Sequence, residues 1–82
     1  MTHIIKLKEP FCDPVFHGDK NFEVRFNDRG YQKGDYVKFI PVNTYGTHFS
    51  HDIEEKLYVI TYVLGGWGIK DDYVVFGIKE VE

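Results

Sequence analysis

The feature that most constrains the fold of this chain is a strict alternation of apolar and polar residues from position 21 to position 27. Phe22, Val24 and Phe26 take every second place, and polar residues stand between them. Successive side chains of a β-strand point to opposite faces, so this period of two predicts a strand with one apolar face and one polar face. We expect the three apolar side chains to lie in the core and the polar ones to face solvent.

Four further segments are rich in β-branched and aromatic residues and predict strands at residues 3–7, 36–42, 56–64 and 73–81. A short helix is predicted from Glu9 to about His17, because Pro10 suits a first helical turn and Gly18 suits a helix end. Residues 43–52 predict a long polar loop. The later strands are expected to add the following residues to the core: Val37, Phe39, Val74 and Phe76.

The predicted order of elements is β-α-β-β-β-β within 82 residues, which is the size of one domain spanning residues 1–82. The fold class is mostly β (α+β). Five short strands with one early helix favour a small closed or partly closed β-barrel, in which few strand edges stay unpaired. An open sheet with the helix on one face is the alternative.

Charge and composition exclude several classes of function. The chain has 10 Lys and Arg against 13 Asp and Glu, a net charge of −3, which argues against strong binding of duplex DNA through many phosphates. No apolar run approaches the roughly 20 residues that span a bilayer, and the N-terminus does not resemble a signal peptide. The one cysteine cannot form an internal disulfide. We therefore expect a cytoplasmic protein with no membrane association.

The densest polar cluster of the sequence lies between residues 18 and 29. Arg25 and Arg29 can each donate a planar pair of hydrogen bonds to a phosphate or a base edge, and Glu23 can orient Arg25 or accept from an exocyclic amine. The alternative is a solvated sheet face on which opposite charges pair weakly, at up to about 1 kcal/mol each. The candidate ligand-binding residues here are Lys20, Glu23, Arg25, Asn27 and Arg29.

Other candidate sites are weaker. His48 and His51 lack the paired spacing of a zinc site, so we expect no metal. Cys12 and His17 lie on one helical stretch, which favours a half-buried thiol over a catalytic pair. Trp67, in the turn Gly65-Gly66-Trp67-Gly68, is predicted either to cap the barrel or to stack on a base.

The stretch Gly18-x-Lys20-x-x-Glu23-x-Arg25 resembles the G-x-K-x-x-E-x-R motif of ASCH (activating signal cointegrator homology) domains, which are relatives of the PUA RNA-binding barrel. Nearly the whole chain is similar to a group of small bacterial and phage ASCH-like proteins, with residues 42–55 the least similar. The resemblance implies a PUA-like barrel of about five strands with one short N-terminal helix. It also implies that the motif lines a ligand cleft between the helix and the barrel.

The resemblance implies a binding module for single-stranded RNA or a modified nucleotide. We expect no cofactor. An alternative is a nucleoside amidohydrolase, since some ASCH proteins deacetylate acetylated cytidine. Those enzymes pair the motif lysine with a threonine three residues later and a distant glutamate; here Glu23 takes the place of the threonine. In that case Lys20 would be the base and Glu23 a proton carrier. A second alternative is an adaptor that binds a protein partner.

Overall fold

The computed structural model describes all residues from 1 to 82. It contains one five-stranded sheet, one α-helix and a short 3-10 helix, in positions close to the predicted ones except for the 3-10 helix, which was not predicted. In chain order the elements are β1 (Thr2–Lys8), α1 (Glu9–Phe16), β2 (Phe22–Phe26), β3 (Tyr36–Val42), the 3-10 helix (Asp52–Glu55), β4 (Tyr58–Gly65) and β5 (Tyr73–Glu80).

The sheet is mixed and has the strand order β1-β3-β4-β5-β2. Strands β1 and β3 run parallel, and all other neighbours are antiparallel. β1 and β2 are the two edges, and no backbone ladder joins them, so the predicted closure into a barrel is wrong. Arginine side chains occupy this seam instead: Arg25 Nη2 donates to the Lys6 carbonyl at 2.7 Å and Arg29 Nη1 to the Ile4 carbonyl at 3.2 Å. Edge carbonyls need donors, and here cationic side chains supply them.

Helix α1 packs against β1, β3 and the 3-10 helix. Pro10 lies in its first turn as predicted, and Gly18 follows the helix with φ of +82°, a conformation that glycine adopts without steric cost. Cys12 and Val15 are buried, whereas Phe11 is 43% exposed. No helix of the chain has the length and apolar character needed to cross a membrane.

The core lies between the inner face of the sheet, α1 and the 3-10 helix. Four of the predicted core residues are confirmed there: Val37, Phe39, Val74 and Phe76. The 3-10 helix adds Ile53, which is completely buried and lies directly after the predicted polar loop of residues 43–52. Burying such large apolar side chains supplies most of the stabilisation available to a chain of this size.

The predicted orientation of β2 is wrong. Phe22, Val24 and Phe26 are 42%, 53% and 52% exposed, while Glu23 is only 2% exposed and faces the inner side with Arg25. The register explains this. Glu23 pairs with Phe76, and residues directly opposite each other share a face of the sheet. Burying a carboxylate is tolerated here because two cations contact it.

Candidate functional site

A cleft of about 900 Å³ opens between the end of β1, helix α1, the free edge of β2 and the turn that follows β3. Its size lies within the range of small-molecule and cofactor pockets. Its lining combines cationic and aromatic side chains around one carboxylate, that of Glu23. The cations are Lys6, Lys8, Lys20 and Arg25, and the aromatic residues are Phe11, Phe22 and Tyr45.

One wall of the cleft is an ion cluster centred on the buried carboxylate of Glu23. Lys20 Nζ donates to Glu23 Oε2 and also, at 2.8 Å, to the backbone carbonyl of Phe22 on the free edge of β2. Arg25 donates to Glu23 Oε1 through Nε at 2.9 Å and Nη2 at 2.6 Å. Glu23 therefore fixes two cations at the cleft wall, and both keep part of their surface open to solvent.

The remaining cations of the cleft come from β1. Lys6 and Lys8 alternate along this strand with the buried Ile5 and Leu7, so both lysines point away from the core. Neither ammonium group forms a hydrogen bond or ion pair within the protein. Four positive side chains and one negative one leave the cleft lining with a charge of +3, in a chain whose net charge is −3.

Aromatic rings lie beside these charges. Lys20 Nζ is 5.0 Å from the ring centroids of both Phe11 and Phe22, within cation–π distance. On the opposite rim, Asn43 Oδ1 accepts hydrogen bonds from the backbone N–H groups of Tyr45 and Thr47 at 2.9 and 3.0 Å. This compact turn begins the segment predicted as a long loop, and it holds the Tyr45 ring almost completely exposed at the rim.

Residues 2–78 match the model of a family described as "Domain of unknown function (DUF3850)". The chain belongs to this family. No protein of curated function matches the sequence. Every residue that lines the cleft lies between positions 6 and 46, inside the part of this DUF3850 chain that the family model covers.

The structure brings Lys20, Glu23 and Arg25 together in the cleft but places the other three predicted site residues elsewhere. Asn27 Oδ1 accepts from the Tyr31 N–H at 3.1 Å and shapes the turn after β2. Arg29 contacts the β1 edge outside the cleft. Trp67 is 91% exposed between β4 and β5, so of its two predicted roles the one in which it caps the barrel is wrong. Whether these three contact a ligand stays a prediction.

The cleft also contains residues that sequence reasoning missed. The alternation of residues 3–7 carried a usable signal, because it places Lys6 on the other face of the strand from Ile5 and Leu7. Nothing in the pattern showed that this strand lies next to β2. Lys8 follows in the same alternation. Tyr45 gave no signal, since its position depends on a turn held by an asparagine side chain.

The histidines of the loop pair with separate partners. His48 contacts Glu54, while His51 Nε2 contacts Asp13 Oδ1 at 2.7 Å and His51 Nδ1 accepts from the Ile53 N–H. No group of three or more side chains of the metal-binding types converges in the chain. His51 thus joins helix α1 to the 3-10 helix through a side-chain contact.

Cys12 is more buried than predicted. Its Sγ donates to the carbonyls of Leu7 and Lys8, both at 3.6 Å, and burial, with the nearby charges of Asp13 and Glu9, raises the pKa of the thiol to about 11. Thiolate is the reactive form of cysteine. Cys12 is therefore a structural residue of the core.

Proposed function

We propose that the cleft binds single-stranded RNA or a nucleotide. The observation that carries this proposal is the concentration of charge: a lining of net charge +3, with aromatic rings beside it, in a chain of net charge −3. Positive charge confined to one concave surface attracts an anion to that surface in preference to the rest of the molecule. Rings next to the cations suit ligands that carry both a phosphate and a base.

In this proposal the ligand's phosphate lies against β1. Among the four cations that line the cleft, Lys6 and Lys8 have no partner inside the protein, and an ammonium group binds phosphate as a point charge. The base stacks on Phe11, Phe22 or Tyr45, since every base presents a π-face to an aromatic ring. Arg25 keeps Nη1 unused by its bonds to Glu23 and the Lys6 carbonyl, and that group can donate to the ligand.

The resemblance of residues 18–25 to the ASCH motif supports the same proposal. In those domains the motif lines a ligand cleft beside the helix, and here Lys20, Glu23 and Arg25 line a cleft bordered by α1. Glu23 has a positioning role in this scheme, because it holds both cations by direct contact. The negative net charge and the size of the cleft both favour a short single strand over a duplex.

Titration of a fluorescent uridine oligonucleotide and of a mononucleotide tests the proposal. We expect the double variant Lys6→Ala/Lys8→Ala to weaken oligonucleotide binding by at least about tenfold, which corresponds to roughly 1.4 kcal/mol. Affinity for the oligonucleotide is also expected to fall as salt rises, with a logarithmic slope of about 0.7 for each phosphate that the protein neutralises. The matched control is Lys33→Ala, which removes an exposed lysine before the start of β3, whereas the cleft lies beyond its end.

Equal affinities for the wild type, the double variant and the control would refute binding in the cleft. Absence of binding by both probes at low salt would refute the proposed function as a whole. In that event the ion cluster would be a purely structural link between the two sheet edges.

A second candidate, hydrolysis of an acetylated nucleoside, has one observation in its favour. Lys20 also borders a smaller cavity of about 190 Å³ that Glu80 lines, and the amidohydrolases that the motif resembles combine a lysine with a distant glutamate. Incubation with acetylated cytidine, followed by chromatography for cytidine, tests it. Product formed by the wild type and absent with Lys20→Ala and with Glu80→Gln would establish the activity; no product with the wild type would eliminate it.

A further inference from the structure

A continuous apolar surface covers the outer side of β2, β5 and β4, on the opposite side of the sheet from the core. Val24 lies opposite Val75, which lies opposite Leu64, and Phe26 lies opposite Tyr73. Directly opposite residues share a face, so these side chains form one surface with the neighbouring Tyr62. We call it the outer face; its residues are Val24, Phe26, Tyr62, Leu64, Tyr73 and Val75.

This surface is uncovered in the single chain. Val24, Phe26 and Tyr62 are each more than half exposed, and the remaining three are partly exposed. None of the six side chains is charged. Globular monomers rarely expose contiguous apolar patches beyond a few hundred Å², and larger ones mark interaction sites.

The exposed area is sufficient for a partner of matching shape. Since an aromatic side chain buries about 150–250 Å², the exposed parts of the six residues amount to roughly 400–500 Å² per chain. Two such surfaces in contact would bury roughly 800–1,000 Å² in total, which reaches the lower limit for a specific interface. Interfaces of that size are weak and exchange readily.

We propose that the outer face is a homodimer interface in which two copies pack sheet against sheet. Two twisted sheets pack well face to face at a spacing of about 10 Å. The charge distribution favours a second copy. The chain carries a net charge of −3, but the six residues of the outer face are uncharged, so two copies can meet there without placing acidic side chains in contact. A nucleic acid would find no cation among the six residues, and the neighbouring Lys70 already lies over the Tyr73 ring, with its Nζ 5.4 Å from the ring centroid.

The interface borders the cleft without overlapping most of it. Val24 belongs to both surfaces, while Phe26 and Tyr62 do not line the cleft. Substitutions at those two residues therefore leave the lining of the cleft unchanged. The pairing of two copies does not depend on which ligand the cleft binds.

Sedimentation equilibrium over a wide range of protein concentration tests this proposal. We expect the wild type to shift from monomer to dimer in the micromolar range. Tyr62→Lys and Phe26→Lys each place an unpaired charge from both copies in an apolar interface, and each is expected to weaken dimerisation by at least about tenfold. The matched control is Ile4→Lys, which puts the same charge on another exposed apolar residue, on strand β1 and outside the six residues of the outer face. Circular dichroism verifies that each variant is folded.

Three outcomes would overturn the proposal. A wild type that stays monomeric at every concentration would eliminate the dimer, and a dimer unaffected by both variants would place the interface elsewhere. If Tyr62→Lys and Phe26→Lys changed oligonucleotide affinity but not mass, the outer face would stack bases instead. Mononucleotide binding by these variants is measured in parallel, so that failure of the cleft and failure of the dimer are recorded separately.

Discussion

The two faces of β2 reverse the usual distribution of residues, with charged side chains on the inner face and apolar side chains exposed on the outer face. On the inner face, Glu23 is buried and contacts Lys20 and Arg25, while the outer face presents phenylalanine and valine to solvent. A carboxylate costs several kcal/mol to bury unless cations compensate it, and here both cations are in place. Leaving a phenylalanine side chain exposed to solvent costs much less free energy than burying an uncompensated carboxylate. The strand therefore keeps its polar network where it joins the two sheet edges and its apolar residues where a partner can cover them.

The largest expected difference between the faces concerns two phenylalanines on paired strands. Phe76→Ala should lower the free energy of unfolding by about 3–5 kcal/mol, because its side chain is fully buried and leaves a cavity. Phe26→Ala should cost about 1 kcal/mol or less, since its exposed ring contacts chiefly Tyr73, 5.7 Å away. Urea unfolding at low protein concentration measures both. Equal losses would mean that the outer face of β2 is covered within one chain.

Removal of the inner carboxylate is expected to have the next largest effect. Glu23→Ala leaves two cations without their shared partner and should destabilise the fold by about 2–3 kcal/mol, less than a fully buried pair because both cations reach solvent. Glu23→Gln keeps the shape and one acceptor, so a smaller loss is expected. Thermal and urea unfolding of wild type, Glu23→Ala and Glu23→Gln measure the loss of stability caused by each substitution. A loss below that of Phe26→Ala would show that the cluster contributes little to stability.

Variants of Arg25 test whether this residue contributes to ligand binding as well as to the stability of the fold. Arg25→Ala removes contacts to Glu23 and the Lys6 carbonyl and should cost about 1–2 kcal/mol of stability. We expect it also to weaken ligand binding about tenfold or more, because the guanidinium borders the cleft. Arg25→Lys should restore neither property fully, since an ammonium lacks the planar fork. Affinity measured well below the melting temperature decides: an unchanged value would leave Arg25 with a structural role alone.

The smallest expected effect concerns a second polar pair, His3 and Asp35. His3 lies near the N-terminal end of β1, whereas the cleft lies at the C-terminal end of this strand. A hydrogen bond from His3 at 2.8 Å, assisted by the Gln32 N–H and the amino terminus, lowers the pKa of Asp35 below its ordinary value of 3.8. A lowered pKa stabilises the folded state above 3.8, and this contribution disappears as pH falls through the lowered value. The stability difference between wild type and Asp35→Asn should therefore shrink below about pH 4. A difference that stays constant down to about pH 2 would contradict the shift in the pKa.

Local periodicity was sufficient to place most elements of this fold. Strand β3 begins and ends at the predicted residues, and the other strands and the helix differ by only a few residues. Alternation and terminal signals such as Pro10 and Gly18 act through the backbone of the segment itself, so the sequence expresses them directly. The cluster of Lys20, Glu23 and Arg25 could be expected from the same alternation, because the three residues lie within one turn and strand.

Only the tertiary structure decided which face of β2 is buried. An alternating pattern shows that two faces differ, but the register against β5, which places Glu23 opposite Phe76, determines which one meets the core. The cleft likewise depends on contact between distant segments: Lys6 and Lys8 approach Arg25 because the edge strands β1 and β2 meet at a seam, where Arg25 donates to the Lys6 carbonyl. The charges were present in the sequence. Their convergence on one concave surface required the long-range pairing of strands, which local pattern does not determine.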